Sequence, residues 1–343
     1  MPSSAHFELV DLSGRRIFVT GGTGFIGKTL LDHFAESAAT QVGRFDVCVL
    51  SRDPQAFLAA CPQYAGHDWL RFSTGDLLSL APAGEHYTDM IHAAADTHGV
   101  DGATWTRQIV DGTRVALDFA LSSGVQRFLL MSSGAVYGSQ PAHVERLGED
   151  FSGAPSTSSM AGVYGQAKRV AEQLCTVYHH EHGLETVVAR CFAVVSEHMP
   201  FNGPYAIGNF IRDALRGKSI HISGDPRTVR SYLYGKDVAH WITTMLLKGL
   251  PGHSYNLGSD QPVTLHRLAE MTSRYLTDGK PIEVASSPDA IKPASLYVPC
   301  IDKAATLGLR VTTPLDEAIR LTAHKAAAFM AGSASLRLPG TKP

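Results

Sequence analysis

An α/β fold, a doubly wound parallel sheet followed by a smaller C-terminal α/β part, is what this sequence predicts, on three observations. Short apolar runs alternate with amphipathic stretches through the first half, the pattern of successive βαβ units. A glycine-rich run at residues 20–29 (TGGTGFIGKT) falls between the first apolar run and the first amphipathic stretch. After residue 192 the elements shorten, and Pro200, Gly203, Pro204, Gly208, Gly224 and Pro226 interrupt them.

Taken in order, residues 15–20 (RRIFVT) read as the first strand, and a helix starts near Gly24. Residues 46–50 (DVCVL) are a second strand ending at Ser51-Arg52, and residues 70–73 a third before the turn Thr74-Gly75-Asp76. Residues 90–95 (MIHAAA) form a fourth strand, and residues 105–123 a long helix with apolar positions at helical spacing. Residues 127–132 (RFLLMS) are a fifth strand, and 148–159, rich in Gly, Ser and Pro, a loop. A helix over 161–182 and a strand over 185–192 complete the first unit. The division expected is 1–192 and 193–343, with 236–250 packing back on the first part.

Composition narrows the function classes. With 343 residues, 44% hydrophobic and 18% charged, the chain can bury one large α/β core, alone or with a smaller companion. A net charge of −2 offers no electrostatic footprint for nucleic acid or an anionic membrane. The start, MPSSAHFELVDLSGRR, has no apolar signal core, and no apolar run approaches membrane-spanning length, so a cytosolic protein is expected. The five cysteines (48, 61, 175, 191 and 300) lack C-x-x-C spacing, and Cys48, Cys175 and Cys191 read as buried free thiols. His179, His180 and His182 close a predicted helix with no cysteine or carboxylate at ligand spacing, so they suit the helix dipole rather than a metal.

Two nucleotide-binding patterns overlap in residues 20–29. Gly21, Gly24 and Gly27 have the spacing of a dinucleotide-binding turn, whereas Gly22, Gly27, Lys28 and Thr29 satisfy G-x-x-x-x-G-K-[ST]. Either way a loop meets a helix N-terminus, where free N–H groups and the dipole attract phosphate. The first pattern predicts hydride transfer, the second phosphoryl transfer.

The deciding constellation is Tyr164-Gly165-Gln166-Ala167-Lys168. At i and i+4 on a helix, Lys168 lies beside the Tyr164 phenol. A free tyrosine has a pKa of about 10, and a neighbouring cation lowers it. Tyr164 can then exchange a proton with a substrate hydroxyl or carbonyl while hydride moves. Ser133, at the end of the fifth strand, is placed to hydrogen-bond the same oxygen, since ligands gather at the carboxyl ends of parallel strands. A second Y-x-x-x-K, Tyr232 to Lys236, lies in an extended run that offers no such helix face.

In the order and kind of its motifs the chain resembles the extended short-chain dehydrogenase/reductase family, which includes nucleotide-sugar epimerases, dehydratases and reductases. TGGTGFIG, GDL (75–77), HAAA (92–95), SSGAVYG (132–138), YGQAK and RSYLYGKDVA (230–239) occur in the family's order, over roughly residues 15–325. The phosphate-loop pattern leaves Ser133, Tyr164 and Lys168 unexplained. The resemblance implies a Rossmann-like fold in which Gly21, Thr23, Gly24, Phe25, Ile26 and Gly27 receive the pyrophosphate of a dinucleotide. It implies that Asp76 and Leu77 bracket the adenine, that Ala93, Ala94 and Ala95 line the dinucleotide, and that Lys168 also holds the nicotinamide ribose. A homodimer through the outer faces of the two long helices is implied in the same way.

The second strand ends in Ser51-Arg52 where NAD-preferring relatives carry an acid for the ribose 2′-hydroxyl. A serine and an arginine suit a 2′-phosphate, which favours NADP(H). Asp53, one residue further on, keeps NAD(H) open, with Arg52 then a surface residue. Relatives that dehydrate at C4–C6 have an acid–base pair where this chain has Gly134 and Ala135, and neither can move a proton. A glutamate-dependent decarboxylase is disfavoured for the same reason. What survives is chemistry that needs only Ser133, Tyr164 and Lys168. Arg230 falls in the segment where relatives bind the substrate's diphosphate, a task that suits guanidinium, a structural salt bridge being the other reading. Asn209 is a further candidate substrate contact. Ala193 replaces a frequent asparagine, and Tyr297 and Asp302 lie where relatives often close over the nucleotide. The leading expectation is NADP(H)-dependent reduction of a nucleotide-linked 4-keto (6-deoxy) sugar. The alternatives are a 4-epimerase that retains NAD and a non-catalytic dinucleotide-binding protein.

Overall fold

The computed structural model describes residues 8–81, 84–94, 101–277, 279–285 and 294–335. Its strands are β1 (Arg16–Thr20), β2 (Asp46–Ser51), β3 (Leu70–Thr74), β4 (Asp89–His92), β5 (Arg127–Ser133), β6 (Glu185–Cys191) and β7 (Val194–Val195). They continue as β8 (Ile220–Ile222), β9 (Val229–Arg230), β10 (Leu233–Tyr234), β11 (His253–Leu257), β12 (Val263–Thr264), β13 (Ile282–Val284) and β14 (Leu296–Tyr297). The helices are α1 (Phe25–Thr40), α2 (Pro54–Ala60), α3 (Gly102–Ser122), α4 (Val163–His182) and α5 (Ala206–Leu215). Then follow α6 (Gly235–Lys248), α7 (Leu265–Leu276), α8 (Asp302–Ala305) and α9 (Leu315–Ser335).

Seven of these strands form one sheet in the order β11-β6-β5-β4-β1-β2-β3, and every pairing in it is parallel. A doubly wound sheet buries both faces, so its strands must be apolar on alternate and intervening positions alike. That is what the runs supply. Ile17 and Val19 face a layer with Leu30, Leu31 and Phe34 of α1 and Val238, Trp241 and Ile242 of α6. Phe18 points the other way, into a layer with Leu117 and Ala120 of α3 and Ala167 and Ala171 of α4. The strand order reverses at β1, which pairs with β2 on one side and β4 on the other. Connections leaving a sheet in opposite directions at such a point open a crevice at the strands' carboxyl ends.

The last sheet strand, β11, comes from residues beyond the boundary expected at 192, and α6 packs on α1. A separate apolar cluster joins α5, α7, α9 and β8, including Phe210, Ile211, Ile220, Leu268 and Ile319. It backs the small sheet β12-β9-β14.

Local chemistry explains where elements differ from the sequence expectation. α4 begins at Val163 rather than residue 161, because Met160–Gly162 forms a 3-10 turn capped by the Ser159 hydroxyl on Ala161 N–H. α2 was not foreseen; Asp53 caps it through Ala56 N–H at 2.9 Å, with Pro54 in its first turn. β4 stops at His92, three residues early. Among the described residues, no helix is long and apolar enough to cross a membrane.

Candidate active site

The glycine turn is built by close backbone approach. Gly21 has φ +74°, and a Cβ there would lie 2.6 Å from the Ala93 carbonyl carbon and the Ala94 nitrogen. A Cβ on Gly27 would stand 2.2 Å from Gly21 O and 2.4 Å from Gly22 Cα, so only glycine lets α1 start against this loop. Gly24, the N-cap of α1, is different. It is exposed, its Cβ would meet only Gly21 O at 3.3 Å, and no side chain caps the helix. The first-turn N–H groups therefore face open space, the geometry that receives a phosphate. Lys28 and Thr29 do not share in this. The Thr29 hydroxyl is buried, donates to Phe25 O at 3.2 Å and lies 3.2 Å from Ser196 Oγ, leaving it unable to serve a metal-bound triphosphate.

A cavity of about 1300 Å³ lies across the carboxyl ends of the strands and includes this turn in its lining. Gly21, Thr23, Gly24, Phe25, Ile26, Gly27, Ala93 and Ala94 line its middle, while Ala95 lies outside the described residues. Ser51, Arg52, Asp76 and Leu77 line one end. Asp53 does not, since its carboxylate is engaged in capping α2. The Asp76 carboxylate also has a local partner, Leu78 N–H at 2.9 Å, as expected of an aspartate after a turn glycine. His92 is sealed behind the wall between Thr20 Oγ1 (2.7 Å from Nδ1) and Thr113 Oγ1 (3.3 Å from Nε2).

Burial holds His92 and the equally buried His33 neutral, their pKa values lowered from 6.5 to about 3. Above pH 6.5 neither folded nor unfolded chain takes up these protons. Below it the unfolded chain does and the folded one does not, so each histidine removes about 1.4 kcal/mol of stability per pH unit. A His92→Asn variant is expected to lose stability less steeply than the parent between pH 6.5 and about 5 in denaturant titrations. Equal slopes would refute this.

Ser133, Tyr164 and Lys168 converge at the centre of the cavity wall. Ser133 ends β5 opposite Cys191 of β6, and its Oγ accepts from Ala135 N–H at 3.2 Å. Tyr164 lies in the first turn of α4. Contrary to the lowering expected from a neighbouring cation, burial pushes its phenol up to about 12, with the nearby Ser133 working in the opposite direction. Lys168 follows one turn later and is 4% exposed; its Nζ donates to Met131 O at 2.7 Å. Burial lowers its pKa to about 8, and Glu172, a further turn along α4, opposes that shift.

Sequence reasoning missed Glu172, although the i, i+4, i+8 series Tyr164-Lys168-Glu172 was a signal. Glu172 Oε1 accepts from Ser132 Oγ at 2.6 Å, and both carboxylate oxygens receive Arg190 of β6, at 2.8 Å from Nη2 and 3.1 Å from Nε. Arg190 continues to the Tyr137 hydroxyl at 2.9 Å, and Tyr137 donates to Asn256 Oδ1 at 2.7 Å. This network fixes the strand end that carries Ser133 and the helix that carries Lys168.

At the opposite end, Arg230, Tyr232, Thr228 and Tyr297 line the cavity. Arg230 donates to Val229 O at 2.8 Å and Ser295 O at 3.3 Å, and its guanidinium lies 5.6 Å from the Tyr297 ring centroid. Among the described residues it meets no carboxylate, in contrast to Arg227, which pairs with Asp225 at 2.8 Å. Asn209 corrects the expectation of a substrate contact. It does not line the cavity, because its amide donates to Gly203 O at 2.9 Å and accepts from Arg212 at 3.0 Å. The second tyrosine–lysine pair is split: Tyr232 lines the cavity, whereas Lys236 sits on α6 and pairs with Glu36 at 2.8 Å. Ala193 is on the wall and Asp302 is not.

A model of the NAD dependent epimerase/dehydratase family matches residues 17–258. A dTDP-glucose 4,6-dehydratase from Streptomyces niveus is 31% identical over 268 residues, 74% of this chain and 76% of the relative. UDP-glucuronic acid decarboxylase 6 from Arabidopsis thaliana is 27% identical over 294 residues, 84% of this chain and 82% of the relative. Among solved structures, the UDP-N-acetylglucosamine 4-epimerase from Methanobrevibacter ruminantium M1, in complex with UDP-N-acetylmuramic acid, shares the fold with a TM-score of 0.79. Its identity is 20%, covering 93% of this chain and 99% of that one.

Proposed function

This chain belongs to the NAD dependent epimerase/dehydratase family, and from that premise we propose that it reduces a nucleotide-linked 4-keto, 6-deoxy sugar at the expense of NADPH. The observation that carries the reading is the convergence of Ser133, Tyr164 and Lys168 on a cavity whose neighbouring positions, Gly134 and Ala135, have no side chain able to move a proton. Hydride transfer with proton donation to oxygen needs the first three only. Dehydration across C5–C6, or decarboxylation, needs a further acid or base.

The residues present fit a dinucleotide. The open N-terminus of α1 suits its pyrophosphate, and the glycine cradle has no room for a Cβ at Gly21 or Gly27. When bound, the nicotinamide supplies the hydride. Tyr164 donates its proton to the sugar's carbonyl oxygen, and Ser133 orients that oxygen by hydrogen bonding. Lys168 holds positive charge one turn away and favours the phenolate that remains. Arg230, half-buried and without a carboxylate partner among the described residues, receives the substrate's diphosphate. Residues 1–192 with α6 and β11 make the dinucleotide-binding part, and the remainder the nucleotide-sugar part. A homodimer through the outer faces of α3 and α4, where Val170 is exposed, completes the reading.

NADP(H) is favoured because Ser51 and Arg52 face the cavity end while the Asp53 carboxylate is turned into the cap of α2. Arg52→Ala is expected to weaken NADPH binding by about tenfold or more and leave NADH binding unchanged, as measured by fluorescence titration. Equal losses for both would assign Arg52 a general role. The rival reading is a 4-epimerase that retains NAD(H), and the exposure of Arg52 is the observation in its favour. Denaturing the purified protein and identifying any released dinucleotide by mass spectrometry separates the two. Stoichiometric NAD supports the epimerase. NADP, or an empty site preferring NADPH, supports the reductase, to be assayed next with UDP- and dTDP-linked 4-keto-6-deoxyhexoses.

A further inference from the structure

Trp105 and Gln108 lie in the first turns of α3, three residues apart and therefore on one helix face, and both line the cavity. The indole Nε1 of Trp105 and the amide Oε1 of Gln108 are buried, and neither has a hydrogen-bond partner among the described residues. A buried donor or acceptor left in that state is costly, and folded chains hold few of them. The partnerless hydroxyls of Ser37, Ser123, Ser231 and Thr322 belong to residues away from the cavity. These two are neighbours on its wall.

Their chemistry limits what can satisfy both. An indole N–H only donates, and an amide oxygen only accepts. A phosphate or carboxylate oxygen brings no proton for Gln108, and an ammonium brings no lone pair for Trp105. A neutral hydroxyl brings both on one oxygen.

The same helix face shows which ligand carries that hydroxyl. Residues 105, 108 and 112 follow one another along it at helical spacing. At its start the Trp105 ring meets the Tyr164 ring edge-on, with centroids 6.1 Å apart. Further along, a Cβ at Gly112 would stand 2.8 Å from Leu77 Cδ2, so α3 rests there on the cavity end formed with Ser51, Arg52 and Asp76. The face thus runs from the catalytic set to the end remote from Arg230. The ligand that spans this stretch is the dinucleotide, and its hydroxyls are those of its riboses.

We propose that Trp105 Nε1 and Gln108 Oε1 form a subsite for a ribose hydroxyl of the dinucleotide. The indole donates to the hydroxyl oxygen, and the hydroxyl donates to the amide oxygen. The inference rests on the reading of the cavity as a dinucleotide site given above, and adds two residues of α3 to it. Both side chains are half-buried, and they turn towards the ligand as it enters. Binding then gives partners to two groups that the chain leaves without one.

The test reads binding, not turnover. The chain has three tryptophans, 69, 105 and 241. In protein labelled with nitrogen-15, the Trp105 indole resonance is assigned by its loss in Trp105→Phe, a change that keeps a ring against Tyr164. NADPH is expected to shift that resonance and leave those of Trp69 and Trp241 in place, while UDP and dTDP leave all three unmoved. By titration calorimetry, Trp105→Phe and Gln108→Leu are each expected to weaken NADPH about fivefold, the size of one hydrogen bond. The double variant is expected to lose no more than either single one, because one hydroxyl serves both residues. An indole resonance indifferent to NADPH would overturn the proposal, as would parental affinity in both single variants. A shift caused by UDP or dTDP instead would give the subsite to the substrate, and additive losses would deny the shared hydroxyl; either overturns it. A parent that binds NADPH with these signatures yet turns over no sugar nucleotide would sink the proposed reaction and leave the subsite standing.

Discussion

Tyr164→Phe is expected to reduce turnover by about 10²–10⁴-fold, the usual contribution of a positioned acid, while dinucleotide affinity stays close to that of the parent. The separation follows from where the phenol sits. It lines the cavity together with Ser133, whereas the glycine turn and the ends of β2 and β4 lie elsewhere along the cavity and keep their geometry when one oxygen is removed. The ring itself packs edge-on against Trp105, with centroids 6.1 Å apart, and phenylalanine preserves that contact. Steady-state rates and a fluorescence titration on the same preparation make the comparison. Unaltered turnover would remove Tyr164 from the chemistry, and parallel loss of binding and rate would point to a collapsed site.

The second large effect is on stability. Arg190 and Glu172 are only 15% and 13% exposed at their side chains, and they meet through two nitrogens. Taking either partner away leaves the other buried and uncompensated, at a cost of about 3–5 kcal/mol. Arg190→Met is therefore expected to lower the unfolding free energy from urea titration by that amount, with Tyr137 losing a donor as well. The double variant Arg190→Met/Glu172→Leu should recover a large share, since no charge then remains to be desolvated. A single variant as stable as the parent would show the pair to be hydrated in solution.

Much of this architecture was legible because the signals were local. The strands at 16–20, 46–51 and 127–133 are apolar on both faces, and the helix-period stretches at 105–123 and 161–182 supply covers for them, which defines a parallel sheet covered on two sides. Gly21 and Gly27 were readable because their spacing reflects contacts within the same turn, where a Cβ would strike the neighbouring backbone. The tyrosine and lysine at 164 and 168 share one helix face by periodicity alone. What escaped depends on pairing between distant segments. Tyr297 reaches the wall of the cavity beside Gly134 and Phe192 only because a two-residue strand pairs with β9, and nothing in the residues around 297 encodes that partner. Arg190 meets Glu172 because β6 passes beneath α4, a relation of packing rather than spacing. Asn209 failed for the converse reason. It lies on a helix bordering the cavity, but the carbonyl of Gly203 and the guanidinium of Arg212 capture its amide from the other side.

The late arrival of β11 has a bearing on how the chain is made. The strand that covers the β6 edge is separated from it by the whole of β7 through α6, so a growing chain must emerge to residue 257 before that edge is paired. Until then Glu185–Cys191 presents unpaired N–H and C=O groups on a strand with an apolar centre, the kind of surface that other nascent chains extend. The same interval covers the chain's supply of α6, without which the α1 side of the sheet lacks Trp241 and Ile242. Synthesis of this protein thus passes through a window in which every residue of the dinucleotide turn has emerged but the sheet that carries it still lacks its last strand.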